Sequence, residues 1–126
     1  MLLIGHPWVK SPTFHKVFSL DGIELSKPDQ VLLLEPLTDS HKLAEHCQQN
    51  GITYAVVVNS INEAILANAL GASYIICEED TALMVQPIAE SYLFDAKVLV
   101  LIEQEKEITK IARGGIDGVL FAQAID

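Results

Sequence analysis

The sequence is poor in aromatic residues, in cysteine and in long hydrophobic runs, and each shortage excludes a class of protein. Aromatic residues make up 6% of the chain although half of all residues are hydrophobic, so we expect an aliphatic core. The two cysteines, Cys47 and Cys77, match no metal-ligand spacing, and we expect both to be reduced and buried. No run reaches the roughly 18 residues of a membrane-spanning helix, and no leader-like segment opens the chain. We therefore expect a cytoplasmic protein.

Positive charge is also scarce. Eight basic residues stand against 17 acidic ones, a formal net charge of -9, so the average surface repels phosphate groups. Lysine and arginine form no cluster that would offset this balance locally. We therefore expect neither nucleic acid nor an anionic membrane as a partner.

The apolar residues that are present follow a regular spacing. Short runs rich in β-branched and aliphatic residues recur about every 20 to 24 residues, an interval that fits one helix and two loops between parallel strands. The length of 126 residues suits a single α/β domain with a mostly parallel sheet of five or six strands. The predicted strands are 31–34, 54–58, 74–77, 98–102 and 118–121.

The segments between these strands have the periodicity of amphipathic helices. Predicted helices cover 39–50, 60–70 and 104–113. Segment 79–94 also keeps a helical period but contains Pro87, which predicts a kink or two short helices.

Part of this pattern repeats along the chain. A shift of 44 residues places Glu63 on Glu107 near a helix start, and Gly71 on Gly115 at a helix end. The repeated unit is a strand, a helix that begins near a glutamate, and a glycine that stops the helix.

Residues 1–30 differ from the repeated units at 31–126 and are predicted to form an N-terminal extension of the same domain. Residues 2–4 could add a further strand. Residues 14–20 and 23–25, on either side of Asp21 and Gly22, predict a β-hairpin with that pair in its turn. The alternative for this segment is a short helix over 20–25.

Residues 60–76 run from Ser60 through an alanine-rich helix to Gly71 and the strand at Ile75 and Ile76. They resemble a helix–strand unit of (β/α)8-barrel proteins with phosphate ligands, and the likeness extends in style over 31–121. The whole chain is also similar to small bacterial α/β proteins of uncharacterised function, which implies no activity. Such barrels need about 250 residues, so this chain cannot complete one. We favour an open flavodoxin-like sheet with helices on both faces, and the alternative is a half-barrel that dimerises.

In both architectures the carboxyl ends of the parallel strands share one rim, where ligands bind. The candidate site residues are the polar residues that follow strands: His6, Glu35, Asn59, Ser60, Glu78, Glu79, Glu103 and, on weaker grounds, Gln123. Glu35, Glu78 and Glu103 could together hold Mg²⁺ or act as acid and base, or each could complement a helix dipole. No ligand motif supports a metal, and we predict no cofactor.

Self-association has a separate basis. Helix 60–70 is apolar nearly all round, whereas a helix outside a sheet needs only one apolar stripe. The residues predicted to form a homodimer contact are Ile61, Ile65, Leu66, Leu70, Leu83 and Met84. Two functions therefore compete. The sequence favours a homo-oligomeric structural or regulatory module, and the alternative is a binding protein or enzyme for a phosphorylated or other small metabolite at the rim.

Overall fold

A computed structural model describes all 126 residues, and seven strands alternate in it with five α-helices. The strands are β1 (Leu2–Ile4), β2 (Phe14–Lys16), β3 (Val31–Leu34), β4 (Tyr54–Val57), β5 (Tyr74–Cys77), β6 (Lys97–Ile102) and β7 (Gly118–Phe121). The helices are α1 (Leu20–Glu24), α2 (Leu37–Gln49), α3 (Ile61–Ala69), α4 (Glu79–Ser91) and α5 (Ile108–Arg113), with 3-10 turns at Glu105–Glu107 and Ala122–Ala124. The strands form one parallel sheet in the order β1-β7-β6-β5-β4-β3-β2.

The two faces of the sheet bury different sets of side chains, because successive residues of a strand point to opposite faces. One face packs against the helices in a cluster of 26 buried residues, which includes Tyr54, Val56 and Val58 of the β4 region. The other face forms a cluster of its own, to which no residue of α1–α5 belongs. This inner cluster is Ile4, Phe14, Val31, Leu33, Ala55, Ile76, Leu99, Leu120 and Ala124.

The sheet is strongly curved around the inner cluster. The rings of Phe14 in β2 and Tyr74 in β5 lie 5.3 Å apart between centroids, although β3 and β4 separate these strands in the sheet. Three inter-strand steps of about 4.8 Å would place them roughly 14 Å apart in a flat sheet. All five helices therefore lie on the convex outer side.

The last residues of the chain join the two ends of the curved sheet. Phe14 of β2 forms a parallel bridge with Ile125, which follows β7 by only a short turn. The Asp126 N–H donates to the Phe14 carbonyl at 2.9 Å, and the Lys16 N–H donates to the Asp126 carbonyl at 3.2 Å. The His15 Nδ1 lies 2.6 Å from the Asp126 carboxylate. A half-barrel results whose two edges are linked by the C-terminal segment.

The α/β class and the parallel sheet with alternating helices are confirmed. Of the two architectures the structure has the half-barrel, because an open three-layer sheet would need helices on both faces. Seven strands are present rather than five or six. The additional ones, β1 and β2, are three residues long each and lie at the two edges of the sheet.

The predicted N-terminal β-hairpin is wrong. Residues 14–16 do form a strand, but β2 pairs in parallel with β3. The Asp21-Gly22 pair lies inside α1, which begins where the Ser19 hydroxyl accepts the Gly22 N–H at 3.2 Å. Ile23 then packs into the outer core. The cap and this one buried side chain decide in favour of the short helix.

The remaining helices agree closely with the predicted segments. Gly71 and Gly115 take positive φ angles of 81° and 73° after α3 and α5, as the repeated unit predicts. Of the two outcomes expected at Pro87, two short helices are excluded, because α4 is one continuous helix of 13 residues in which Pro87 is exposed. None of the helices is both long and apolar enough to cross a membrane.

Candidate functional site

A cleft of about 360 Å³ opens at the carboxyl ends of the strands, above the inner cluster. Its floor is apolar: Ile76 belongs to the inner cluster and Val57 packs against that cluster. Leu101 follows the inward-facing Leu99 by two residues and therefore points to the same side, yet it is 47% exposed. The lining residues are Glu35, Val57, Val58, Asn59, Ile76, Cys77, Glu78 and Leu101.

Three of the predicted site residues meet in this cleft. Glu35, Asn59 and Glu78 follow β3, β4 and β5, which are adjacent strands, so the parallel register brings their side chains to one place. The Glu78 carboxylate and the side-chain amide of Asn59 have no hydrogen-bond partner within the protein, whereas the Asn59 backbone N–H donates to Glu63. Both groups are therefore free to bind a ligand.

Glu35 is held by a residue that the sequence analysis missed. The Lys16 ammonium lies 3.0 Å from the Glu35 carboxylate, with both side chains partly exposed. Lys16 is two residues beyond the inward-facing Phe14, and Glu35 is two beyond Leu33, so both lie on the concave side. Lys16 was overlooked because residues 14–20 were assigned to a hairpin. The alternation of side chains between the two faces of a strand would have placed it on the same side as Phe14.

Two other predicted residues have structural partners instead, and two lie outside the cleft. The Ser60 hydroxyl caps α3 by accepting the Glu63 N–H at 3.2 Å. Glu79, in the first turn of α4, pairs with Lys110 at 3.1 Å. Glu103 lies outside the cleft, in a neighbouring depression of about 480 Å³ formed by residues 101–104, 106 and 107, and Gln123 is exposed after β7.

His6 is placed at the rim, as predicted, but both of its ring nitrogens are in use. Its Nδ1 accepts the Trp8 N–H at 3.1 Å, and its Nε2 lies 3.0 Å from the Glu105 carboxylate. A free ring nitrogen, which a general base requires, is therefore not present at His6 in this conformation.

Two glutamate carboxylates accept hydrogen bonds from backbone N–H groups in the loops that follow β4 and β6. The Glu107 carboxylate accepts the N–H groups of Glu103 and Gln104, each at 3.0 Å, and these hydrogen bonds lower the pKa of Glu107. Glu63 accepts the Asn59 N–H at 3.4 Å in the same manner. In other proteins, backbone N–H groups at these positions of a helix N-terminus bind phosphate. Here the carboxylates of Glu63 and Glu107 already accept hydrogen bonds from them, in the place of a phosphate.

The three glutamates considered for Mg²⁺ do not meet at one place. No group of three or more histidine, cysteine, aspartate or glutamate side chains is positioned to hold a metal ion. Glu35 and Glu78 share the cleft, whereas Glu103 lies apart from them. Cys77 also lines the cleft, and burial raises the pKa of its thiol to about 12, which leaves it protonated and unreactive at neutral pH.

Four of the six residues predicted for self-association form an apolar surface on α3 and α4, two helices that contact each other. Ile65, Leu66, Leu83 and Met84 are exposed, Leu66 by 56% and Met84 by 54%. Ile61 and Leu70 instead pack partly against the outer core. We call the four exposed residues the α3–α4 patch.

Compared with known proteins, the chain matches no protein-family model and no curated protein sequence.

Proposed function

We propose that this protein binds a small molecule in the cleft at the carboxyl ends of β3–β6. The supporting observation is that three successive strands deliver Glu35, Asn59 and Glu78 to one cavity with an apolar floor. A volume of about 360 Å³ is at the lower end of the range for ligand pockets. The combination of an apolar floor with a few convergent polar groups is typical of such sites.

The chemistry of the cleft favours a small aliphatic amine over a phosphorylated metabolite. Its one nearby cation, Lys16, is already paired with Glu35, and Glu63 and Glu107 occupy the backbone donors that a phosphate would use. The unpartnered Glu78 carboxylate can accept from an ammonium group in a charge-assisted hydrogen bond. Val57 and Leu101 would contact the aliphatic part of the ligand.

A nuclear magnetic resonance titration tests this proposal. Butylamine and 1,4-diaminobutane, added at constant ionic strength, should shift the backbone amide signals of residues 57–59, 76–78 and 101. Inorganic phosphate should not. The Glu78→Gln variant removes the charge and should weaken amine binding about tenfold.

Glu45→Gln is the matched control, because Glu45 is an exposed glutamate on α2 that makes no hydrogen bond. It should bind the amines as the wild type does. Binding of phosphate but not of amines at the same residues would contradict the ligand class and leave the cleft as the site. The absence of rim shifts with every probe would overturn the proposed function itself.

A second candidate function is that of a homodimeric interaction module, and the α3–α4 patch favours it. Four exposed aliphatic side chains on two adjacent helices form the kind of apolar surface that a second copy of the chain could bury. The inner face of the half-barrel is already filled by its own side chains. A dimer would therefore form through the helices rather than by completing a barrel.

Sedimentation velocity at micromolar concentration distinguishes the monomer from the dimer. The wild type should sediment as a dimer, and the double variant Leu66→Lys/Met84→Lys as a monomer. Leu25→Lys, at an exposed leucine outside the patch, is the control and should leave the dimer intact. A monomeric wild type would exclude this candidate and leave the cleft proposal unaffected. Both candidates assume the cytoplasmic location expected from the sequence, where Cys47 and Cys77 stay free thiols.

A further inference from the structure

His6 lies just after β1, and its side chain is only 10% exposed. Three neighbours surround its ring. The Trp8 N–H contacts Nδ1 at 3.1 Å, and the Glu105 carboxylate lies 3.0 Å from Nε2. The rings of Trp8 and Phe121 pack edge-on against it, with centroids 5.4 and 5.7 Å away.

These contacts determine which nitrogen carries the ring proton. A backbone N–H can only donate a hydrogen bond, so Nδ1 must be the unprotonated acceptor for Trp8. The proton of the neutral ring is therefore on Nε2, where it is donated to Glu105. A second proton can add only at Nδ1.

We propose that His6 is a pH-sensitive switch that holds the turn at residues 6–9 while its ring is neutral and releases it when the ring is protonated. Protonation of Nδ1 replaces the acceptor with an N–H that faces the Trp8 N–H. The hydrogen bond is then lost, and two donors oppose each other. This conformational device is separate from the cleft and does not depend on the proposed function.

One charged group faces the His6 ring. Glu105 is the one charged group within ion-pair distance of His6. The packed elements otherwise present apolar rings, Phe121 from β7 and Trp8 from the turn itself. The contact that protonation of Nδ1 removes is therefore the hydrogen bond from the Trp8 N–H.

The Trp8 side chain is 89% exposed, so few other contacts resist release. The turn retains one backbone hydrogen bond, from the Val9 N–H to the His6 carbonyl at 3.0 Å. Loss of a single bond of about 1 kcal/mol changes a local opening equilibrium about fivefold. That change is large enough to measure at the Trp8 amide.

The test uses the wild-type chain between pH 5 and 8, the interval in which histidine side chains change charge. The amide signal of Trp8, the single tryptophan, should follow a one-proton transition. Its hydrogen-exchange protection should fall about fivefold on acidification, after correction for the intrinsic rate. In His6→Asn the side-chain oxygen can accept the Trp8 N–H without titrating, so the transition should vanish. His41→Asn, at an exposed histidine of α2, should leave the transition unchanged.

Glu105→Gln provides a second readout in case His6→Asn does not fold. The contact of Nδ1 with the Trp8 N–H does not involve Glu105, so the Trp8 transition should persist in this variant. The proposal is overturned if the wild-type Trp8 amide does not respond to pH, if the transition persists in His6→Asn, or if it is lost in Glu105→Gln.

Discussion

At the scale of single residues, Asp117 connects β6, β7 and α4. It lies at the amino ends of the strands, which is the end of the sheet opposite the cleft. Its carboxylate accepts the Val98 N–H of β6 at 2.9 Å and the Gln86 amide of α4 at 3.0 Å. Its own N–H donates to the side-chain Oε1 of Gln86 at 3.1 Å. Gln86 is one of only two buried polar residues, and Asp117 forms hydrogen bonds with both the nitrogen and the oxygen of its side-chain amide. The side chain next to Pro87 therefore anchors α4 to the sheet.

Asp117→Ala should lower the free energy of unfolding by about 2 to 4 kcal/mol, because the Val98 N–H and the Gln86 amide would lose their partner. Urea denaturation measures this change. Asp95→Ala is the control, at an exposed aspartate without a hydrogen-bond partner, and should stay within about 0.5 kcal/mol of the wild type. Equal losses in the two variants would contradict the role of Asp117.

Cys77 makes stability depend on pH. Burial raises the pKa of its thiol from 9.0 to about 12, so the folded state keeps a proton that the unfolded state loses above pH 9. The stability contributed by the neutral thiol is complete below pH 9 and is lost as the pH rises toward 12. Between pH 8 and 10.5 the wild type should lose on the order of 2 kcal/mol more than Cys77→Ala, as measured by urea denaturation. Identical pH profiles for the two proteins would refute this.

At the scale of elements, α3 shows how a residue at the rim can be structural. The Ser60 hydroxyl accepts the Glu63 N–H, and the Glu63 carboxylate returns toward the Ser60 hydroxyl and the Asn59 N–H, at 3.3 and 3.4 Å. The arrangement is a variant of the capping box, because the Glu63 carboxylate accepts the N–H of Asn59 rather than that of the N-cap residue Ser60. Asn59, the residue before the cap, is thereby oriented at the cleft.

Ser60→Ala should reduce stability by about 1 kcal/mol because the first turn of α3 loses its cap. Thermal unfolding measures the effect. Ser91→Ala, at an exposed serine at the end of α4, should be close to neutral. Amine binding, scaled for folded protein, should be retained in Ser60→Ala. A specific loss of binding would return Ser60 to the set of ligand residues.

At the scale of the whole molecule, closure of the half-barrel depends on close packing where β1 ends. Gly5 has a φ angle of 96°, and a Cβ atom built there would lie 2.7 Å from the Ala124 Cβ and 3.1 Å from the Phe121 Cβ. Ala124 belongs to the turn that leads the chain to β2. Only glycine lets these segments approach so closely.

Gly5→Ala and Gly51→Ala form a matched pair that measures this packing. Both glycines have positive φ, but a Cβ atom at Gly51 would meet nothing within 4 Å. Each substitution should cost about 1 kcal/mol for the backbone, and Gly5→Ala should cost a further 1 to 3 kcal/mol for overpacking. If Gly5→Ala and Gly51→Ala change the midpoint of urea denaturation equally, the contact between Gly5 and the turn at Ala124 is loosely packed.

Much of the fold and part of the site were predictable from the sequence, because they depend on local patterns. Apolar runs located β3–β7, and cap residues with glycine stops located the helices. The position after each strand correctly placed Glu35, Asn59 and Glu78 at one rim. Lys16 and Leu101 were not predicted to belong to the site. Whether they do depends on which face of the curved sheet is the concave one.

Local sequence patterns are enough to specify the α/β class and the order of most elements, because propensity, capping and periodicity act within a few residues. They do not specify the curvature of the sheet, the parallel pairing of β2 or the link from Phe14 to Ile125. Those features depend on contacts between residues far apart in the chain, such as Phe14 against Tyr74. The same long-range packing brings Lys16 to Glu35 and leaves Glu78 unpartnered above an apolar floor.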